Sequence, residues 1–318
     1  MKLIIQIPCY NESDSLPAML KELPRQVKGF DRVEWLIIDD GSSDRTAEVA
    51  KQCGVDHVVR FTHHRGLAAG FMAGLDACLK RGADVIVNTD ADNQYRAADI
   101  PLLVAPITEG RADIVIGARP TGQIEQFSAA KKLLQKIGSA VVRWVSHTDV
   151  PDAPSGFRAI SRDAALQLNV FNEYTYTLET IIQAGQKGMA VVSVPVRVNP
   201  AGRPSRLVKS IFSYVVRSGG TILKIFVVYR PFSFFMTAGS LLFFCGFAVG
   251  LRYLYFFARG HSGGHVQSLI LASILLGIGF ETMLIAFVAN LLAVNRKLME
   301  NVQYLLRKWE SGKPPERR

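Results

Sequence analysis

The chain has 318 residues, 49% of them hydrophobic, with a formal net charge of +10 and four cysteines. That length suits one α/β domain of about two hundred residues with an appendage. Cys9, Cys53, Cys78 and Cys245 make no CxxC pair and no evident disulfide framework, a pattern that suits a reducing cytoplasm and argues against a structural zinc site. The basic excess hugs apolar segments instead of one soluble face, so nucleic acid is not the expected partner.

Up to about residue 200, short apolar runs alternate with helical patterns, as a mostly parallel α/β sheet requires. Strands are expected at Leu3–Ile7, Trp35–Asp39, Val55–Arg60, Val85–Thr89, Ile114–Gly117 and Val191–Val198. Helices are expected at Leu16–Gln26, Arg45–Cys53, Leu67–Arg81, Ala98–Glu109, Lys131–Val145 and Thr177–Lys187. Ser43-Asp44 stands where a side-chain oxygen can cap the second helix, and Gly82 where the third would stop.

Residues 205–229 mix apolar side chains with Lys and Arg and read as interfacial helices, with a break at Gly219-Gly220. Two apolar runs follow, about 232–257 and 266–294. Each is long enough for a hydrocarbon layer of about 30 Å, which takes roughly 20 helical residues. The expected division is therefore a catalytic domain over 1–202, juxtamembrane helices over 203–230, a two-helix hairpin over 231–295 and a basic tail over 296–318. No cleavable leader is expected, because Met1 to Pro8 runs straight into a strand. Lys and Arg crowd both outer flanks of the hairpin, which places both termini and the first domain in the cytoplasm. Basic residues beside a bilayer also attract anionic head groups.

In such a sheet, ligands lie at the carboxyl ends of the strands. Three polar segments fall there: Pro8-Cys9-Tyr10-Asn11-Glu12, Asp39-Asp40-Gly41-Ser42 and Asp90-Ala91-Asp92. Tyr10 offers an aromatic wall for a base, and a carboxylate after the second strand can accept from a nucleobase N–H or ribose hydroxyls. Alternate carboxylates in an extended turn can share one small hard cation, Mg²⁺ or Mn²⁺, and Gln94 adds an oxygen. Such an ion, bridging a nucleotide diphosphate, would neutralise the leaving group's charge. Taken singly, an acidic turn or an Asp-Gly-Ser-Ser turn is an ordinary solvated loop. Their shared edge connects them.

Together these segments resemble family 2 glycosyltransferases, whose nucleotide-sugar-binding domain has the Rossmann-like fold called GT-A. The resemblance extends through Val115-Ile116-Gly117-Ala118-Arg119, Pro154-Ser155-Gly156-Phe157-Arg158 and the two apolar runs. In that wider set it is similar to the polyprenyl- or dolichyl-phosphate sugar synthases, including dolichol-phosphate mannosyltransferases. The resemblance implies that Pro8, Tyr10, Glu12 and Asp40 hold the base and ribose of a UDP- or GDP-hexose. It implies that Asp90, Asp92 and Gln94 bind the donor phosphates through the metal, and that Arg119 meets the acceptor phosphate. Arg203 and Arg206 resemble a basic loop that closes on the diphosphate, although positive-inside bias would also place them there. Lys131, Gln135 and Ser155 stand at acceptor positions, and Glu179 on the sixth helix is a further catalytic candidate. A homotetramer is an added expectation of the resemblance.

The chain departs from the family pattern in places. His64 stands where many relatives have Asn, and Lys131 and Gln135 replace an arginine and a serine. His63 and His64 read as loop residues, not metal ligands. Arg252 and Glu281 lie inside the apolar runs at depths differing by roughly 10 Å, at 1.5 Å per residue, so they are not expected to pair within one chain. Arg252 is expected to snorkel outward, and Glu281 to face an oligomer seam or be protonated in place.

The reaction expected is direct displacement at the anomeric carbon by a lipid phosphate oxygen, with inversion. Two other readings stay open: extension of a lipid-linked saccharide or polysaccharide, and a non-catalytic nucleotide-binding scaffold. Arg143-Trp144 lacks the glutamine of the QxxRW pattern typical of processive synthases, having Ala140 in its place.

Overall fold

The computed structural model describes residues 1–120, 139–140, 142–170, 176–199, 220, 223–224, 226–260 and 266–310. It divides into two compact units, Met1–Ser218 with Gln303–Arg318, and Gly219–Val302.

In the first unit the described strands are β1 (Lys2–Cys9), β2 (Arg32–Asp39), β3 (His57–Arg60), β4 (Val85–Asn88), β5 (Ile114–Ala118), β6 (Arg158–Ser161) and β7 (Val191–Pro195). They form one sheet in the order β3-β2-β1-β4-β6-β5-β7. Only β6 runs antiparallel to its neighbours. The helices are α1 (Leu16–Glu22), α2 (Thr46–Gln52), α3 (Leu67–Lys80), α4 (Ile100–Thr108), α5 (Arg162–Gln167) and α6 (Thr177–Gln186). This is the mixed α/β architecture expected. Leu3, Ile4, Ile5 and Ile7 of β1 are all buried, as a strand covered on both faces requires. Against it, α3 packs so closely that a Cβ at Gly74 would stand 2.5 Å from Gln6 Oε1 and 2.8 Å from Ile38 Cδ1.

The hydropathy pattern does not show β6. Its four residues begin with an arginine, and only Ile160 has a strong preference for extended backbone. Cross-strand pairing makes it a strand: Ile160 lies opposite Ile86 of β4 on one side and Ile114 of β5 on the other. The chain turns at once into α5, capped by Ser161, whose side chain accepts from the Ala164 amide. Of the helix expected at Lys131–Val145, residues 142–145 are helical and 131–138 lie outside the described residues.

Strand order reverses between β1 and β4, and the crevice beyond such a switch point is where open α/β sheets bind ligands. The loops after β1, β2 and β4 all end on that edge.

The second unit holds α7 (Pro231–Ala258) and most of α8 (Val266–Glu310). Both are long and apolar enough to cross a membrane, and only 11% and 17% of their most apolar stretches is buried. Leu241, Phe244 and Leu291 are each 66% exposed, so the outward surface is one that lipid would cover. Contacts pair Phe232 with Phe287, Gly239 with Gly279 and Gly246 with Ala272, so the two helices form an antiparallel hairpin. Small residues line the seam, as suits helices without a hydrophobic drive to associate in lipid. Arg252 lies 5.9 Å over the Phe256 ring, and Glu281 is exposed on the hairpin surface. Beyond Val294, where the apolar run ends, α8 continues as helix to Glu310. Its charged end belongs to the first unit, where Arg307 pairs with Asp76 at 3.3 Å and donates to Leu168 O at 2.8 Å.

Candidate active site

The loops after β1 and β2 are knitted together. The Asn11 amide donates to Ser42 Oγ at 3.0 Å, and the Ser43 amide donates to Asn11 Oδ1 at 2.9 Å. Asn11 has φ 54, a left-handed conformation that asparagine tolerates. The Glu12 amide donates to Thr46 Oγ1, and the Ser13 amide to Asp44 Oδ2. Burial raises the Asp44 carboxyl, but hydrogen bonds from Thr46 and Ser13 outweigh it and hold the group at about 2. Glu12 is buried, and its carboxylate accepts from Ser15 Oγ. Pro8 is half-buried near the end of β1.

Asp40 has local partners. Its carboxylate accepts from the Arg65 amide at 2.7 Å and the Gly66 amide at 2.9 Å, and His64 Nδ1 lies 2.9 Å from Oδ2. The carboxylate expected to meet a base or ribose thus also braces the loop before α3. Loop and turn come so close that a Cβ on Gly41, at φ 67, would meet the His63 carbonyl carbon at 2.4 Å. Tyr10 is 41% exposed, and its ring lies against His64 with centroids 4.1 Å apart and planes tilted by 31°. His64, which stands in place of the usual asparagine at the edge of the expected donor pocket, thus sets its ring against Tyr10.

Asp90 and Asp92 follow β4 at the switch point. Burial and then the neighbouring Asp92 charge push the Asp90 carboxyl up to about 7, while Arg119 and Arg158 pull the other way. The Gln94 amide donates to Asp92 Oδ1 at 3.1 Å and so aims that carboxylate. Behind Asp90, Gly156 leaves no room for a side chain: a Cβ there would stand 2.9 Å from Asp90 Oδ2 and 3.0 Å from Tyr176 Oη. A buried polar chain supports this wall. Gln6 Nε2 donates to Asn88 Oδ1, and Asn88 Nδ2 reaches both Gly156 O and Tyr176 Oη at 2.9 Å. Tyr176 in turn stacks on Phe71 at 3.9 Å.

Arg119, at the end of β5, is gripped by Asp152. Nε and Nη2 donate to the two carboxylate oxygens at 2.8 and 3.0 Å, and the Arg119 amide adds a third bond at 3.1 Å. The guanidinium expected to meet the acceptor phosphate thus has two of its nitrogens engaged, leaving Nη1 as the arm for another anion. Nothing in the sequence marks Asp152 beyond its place just before the Pro154–Arg158 motif.

Ser155 is wholly buried, and its carbonyl accepts from Arg158 Nε at 2.7 Å. The side chain expected on the acceptor side is thus buried, and its Oγ has no hydrogen-bond partner among the described residues. Arg158 is 1% exposed and also donates to Thr180 Oγ1 and Ala153 O. Glu179 is buried in the first turn of α6. Lys131, Gln135, Arg203 and Arg206 lie outside the described residues.

Among the described residues, no cluster of three or more His, Cys, Asp or Glu could hold a metal unaided. Two carboxylates completed by diphosphate oxygens and water are nonetheless a donor set that Mg²⁺ takes, and hard oxygens suit Mn²⁺ as well. Burial and, after it, the Asp92 charge raise Asp90, and a cation there would offset both, so the residues fit one.

Glycosyl transferase family 2 matches the chain over residues 4–168. Polyprenol monophosphomannose synthase of Mycolicibacterium smegmatis is 28% identical over 204 residues, which cover 61% of this chain and 76% of that protein. Undecaprenyl-phosphate mannosyltransferase of Micrococcus luteus is 30% identical over 206 residues, covering 62% and 83%. Glucosyl-3-phosphoglycerate synthase of Mycobacterium tuberculosis, solved with Mn²⁺, UDP-glucose and phosphoglyceric acid, aligns at a TM-score of 0.54 and 20% identity, covering 69% of this chain and 80% of that one. That likeness shows a shared fold.

Proposed function

The chain belongs to glycosyl transferase family 2, and on that premise we propose that it moves a hexose from a nucleotide sugar to a polyprenyl phosphate at the cytoplasmic face of a membrane. The observation that supports this most is the pair Asp90 and Asp92 at the switch point of the sheet, electrostatically coupled to Arg119. Two relatives are named for polyprenyl mannose transfer, and α7 and α8 supply an apolar hairpin to keep the enzyme beside such a lipid.

Each residue has a distinct part in this reading. Tyr10 and His64 present neighbouring rings to the nucleobase, and the braced Asp40 loop keeps them in place. Asp90 and Asp92 would hold a divalent cation, Mg²⁺ or Mn²⁺, which would supply charge to screen the departing nucleoside diphosphate. Arg119, fixed by Asp152, offers Nη1 to the lipid phosphate. Arg203 and Arg206 complete the diphosphate grip, with Lys131 and Gln135 on the acceptor side. Glu179, buried in the first turn of α6, is the further catalytic candidate. A phosphate monoester is already ionised at neutral pH, so attack on the anomeric carbon demands no strong base. The new carbon–oxygen bond forms as the bond to the diphosphate breaks on the opposite face. Catalysis then rests on alignment and charge stabilisation.

The test is an assay of the full chain in detergent with undecaprenyl phosphate, Mn²⁺ and either UDP-glucose or GDP-mannose. Nucleoside diphosphate release that requires the lipid, with an acid-labile sugar–phosphate product, is expected from at least one donor. Transfer to a saccharide hydroxyl instead, giving an acid-stable product, would overturn the acceptor assignment.

A further inference from the structure

The turn that carries Asp92 is held from a point 106 residues beyond it by Asn199, the last described residue before the basic segment of Arg203 and Arg206. The Asn199 amide donates to Gln94 O at 2.8 Å, and its Nδ2 donates to Asn93 O at 3.0 Å. Its Oδ1 accepts from Arg96 Nε at 3.2 Å. Around these bonds Val198 bridges Tyr95, and the Arg96 amide reaches Arg197 O at 3.4 Å. Arg197 is itself fastened to the buried Asp99 by backbone and side chain. On the other flank, Glu22 of α1 accepts from Asn93 Nδ2 at 3.0 Å and, more loosely, from Asn199 Nδ2 at 3.5 Å.

We propose that Asn199 is a positioning residue for the divalent-cation site, clamping the Asp92-Asn93-Gln94 turn in the shape that aims Asp92. The inference rests on the reading of Asp90 and Asp92 as cation ligands. Within the turn, the bond from the Gln94 amide to Asp92 is a single local tie, and Asn93 sits at φ 55 in the left-handed region. Two carboxylates bind a small cation only if both stay within a few tenths of an ångström of their places, which groups outside the ligand set must enforce. Asn199 bonds the two backbone carbonyls that follow Asp92 directly. The clamp also joins the turn to the start of the basic segment.

The experiment measures Mn²⁺ binding to the detergent-solubilised full chain, with UDP or GDP present, by the loss of free Mn²⁺ electron-paramagnetic signal. Metal-free melting is recorded in parallel. Asn199→Ala is expected to weaken Mn²⁺ about tenfold with little change in metal-free melting. Glu22→Ala, which loosens the same turn from α1, is expected to act in the same direction and serves if Asn199→Ala does not fold. Affinity within twofold of wild type in these variants, while Asp92→Ala loses binding, would overturn the clamp and leave the cation site standing. A wild-type chain that binds no Mn²⁺ with either nucleotide would overturn both.

Discussion

Arg119 and Asp152 meet fork to fork, two guanidinium nitrogens on two carboxylate oxygens, with side chains only 11% and 2% exposed. Removing one partner from a buried ion pair typically destabilises by about 3–5 kcal/mol, because the other charge is left uncompensated. Asp152→Ala is therefore expected to lower the melting temperature sharply. Asp152→Asn, which keeps one acceptor oxygen, should fold better yet let Arg119 swing. Its signature would be a raised KM for polyprenyl phosphate with donor KM near wild type. Equal changes in both constants would show that the pair merely holds the fold.

Gly156 touches Asp90, a ligand of the proposed cation site, through space and not by bonding. A methyl there would press on both Asp90 oxygens and on Tyr176 Oη. Gly156→Ala should displace the Asp90 carboxylate and raise the Mn²⁺ concentration for half-maximal activity by about tenfold, while nucleotide binding without metal stays near wild type. An unchanged metal requirement would show that the wall yields instead.

These two sites differ in how far the sequence exposed them. Asp90 and Asp92 were legible because the apolar strand Val85-Ile86-Val87-Asn88 leads straight into them, and a strand end is where an α/β sheet keeps its chemistry. Asp152 was not, since its meaning comes from an arginine 33 residues earlier that only the fold brings near. The strand β6 was hidden for the same reason: its pairing with β4 and β5 is long-range, and Arg158 at its start looks like a surface residue until Thr180, Ala153 and Ser155 enclose it. Apolar periodicity revealed the hairpin, but could not say that α8 continues through the charged residues to Glu310.

His64 contributes a ring to Tyr10 and a nitrogen to Asp40, and two substitutions separate these contacts. His64→Phe keeps the ring contact and loses the polar one; His64→Asn does the reverse. If the two-ring face holds the nucleobase, His64→Asn should weaken nucleoside diphosphate binding several-fold, stacking being worth on the order of 1 kcal/mol. His64→Phe should weaken it less. Isothermal titration of both variants gives the order, and the opposite order would assign the contribution to the Asp40 brace.

Asp44 predicts a pH dependence. Its carboxyl is held at about 2, below the ordinary 3.8, so the ionised form stabilises the fold. That stabilisation is complete above the unfolded value and is lost as pH falls through about 2. Asp44→Asn should therefore melt below wild type at pH 7, and the gap should narrow as the pH drops under 4. A gap that stays constant over that range would mean that the loss does not come from the ionised carboxylate, and no gap at pH 7 would mean that Thr46 and Ser13 bond the amide as well.

The hairpin seam gives the last test. A Cβ on Gly279 would stand 2.6 Å from the Phe243 amide nitrogen and 2.9 Å from Gly239 O, and neither backbone atom can rotate away as a side chain would. Overpacking of this kind typically costs about 1–3 kcal/mol, and in lipid no hydrophobic drive exists to push the helices back together. Gly279→Val is expected to shift the detergent-induced unfolding of α7 and α8 to lower denaturant, whereas Gly277→Val should not, because a Cβ at Gly277 meets nothing within 4 Å. Equal behaviour of the two variants would mean that the seam is not formed by this face of α8.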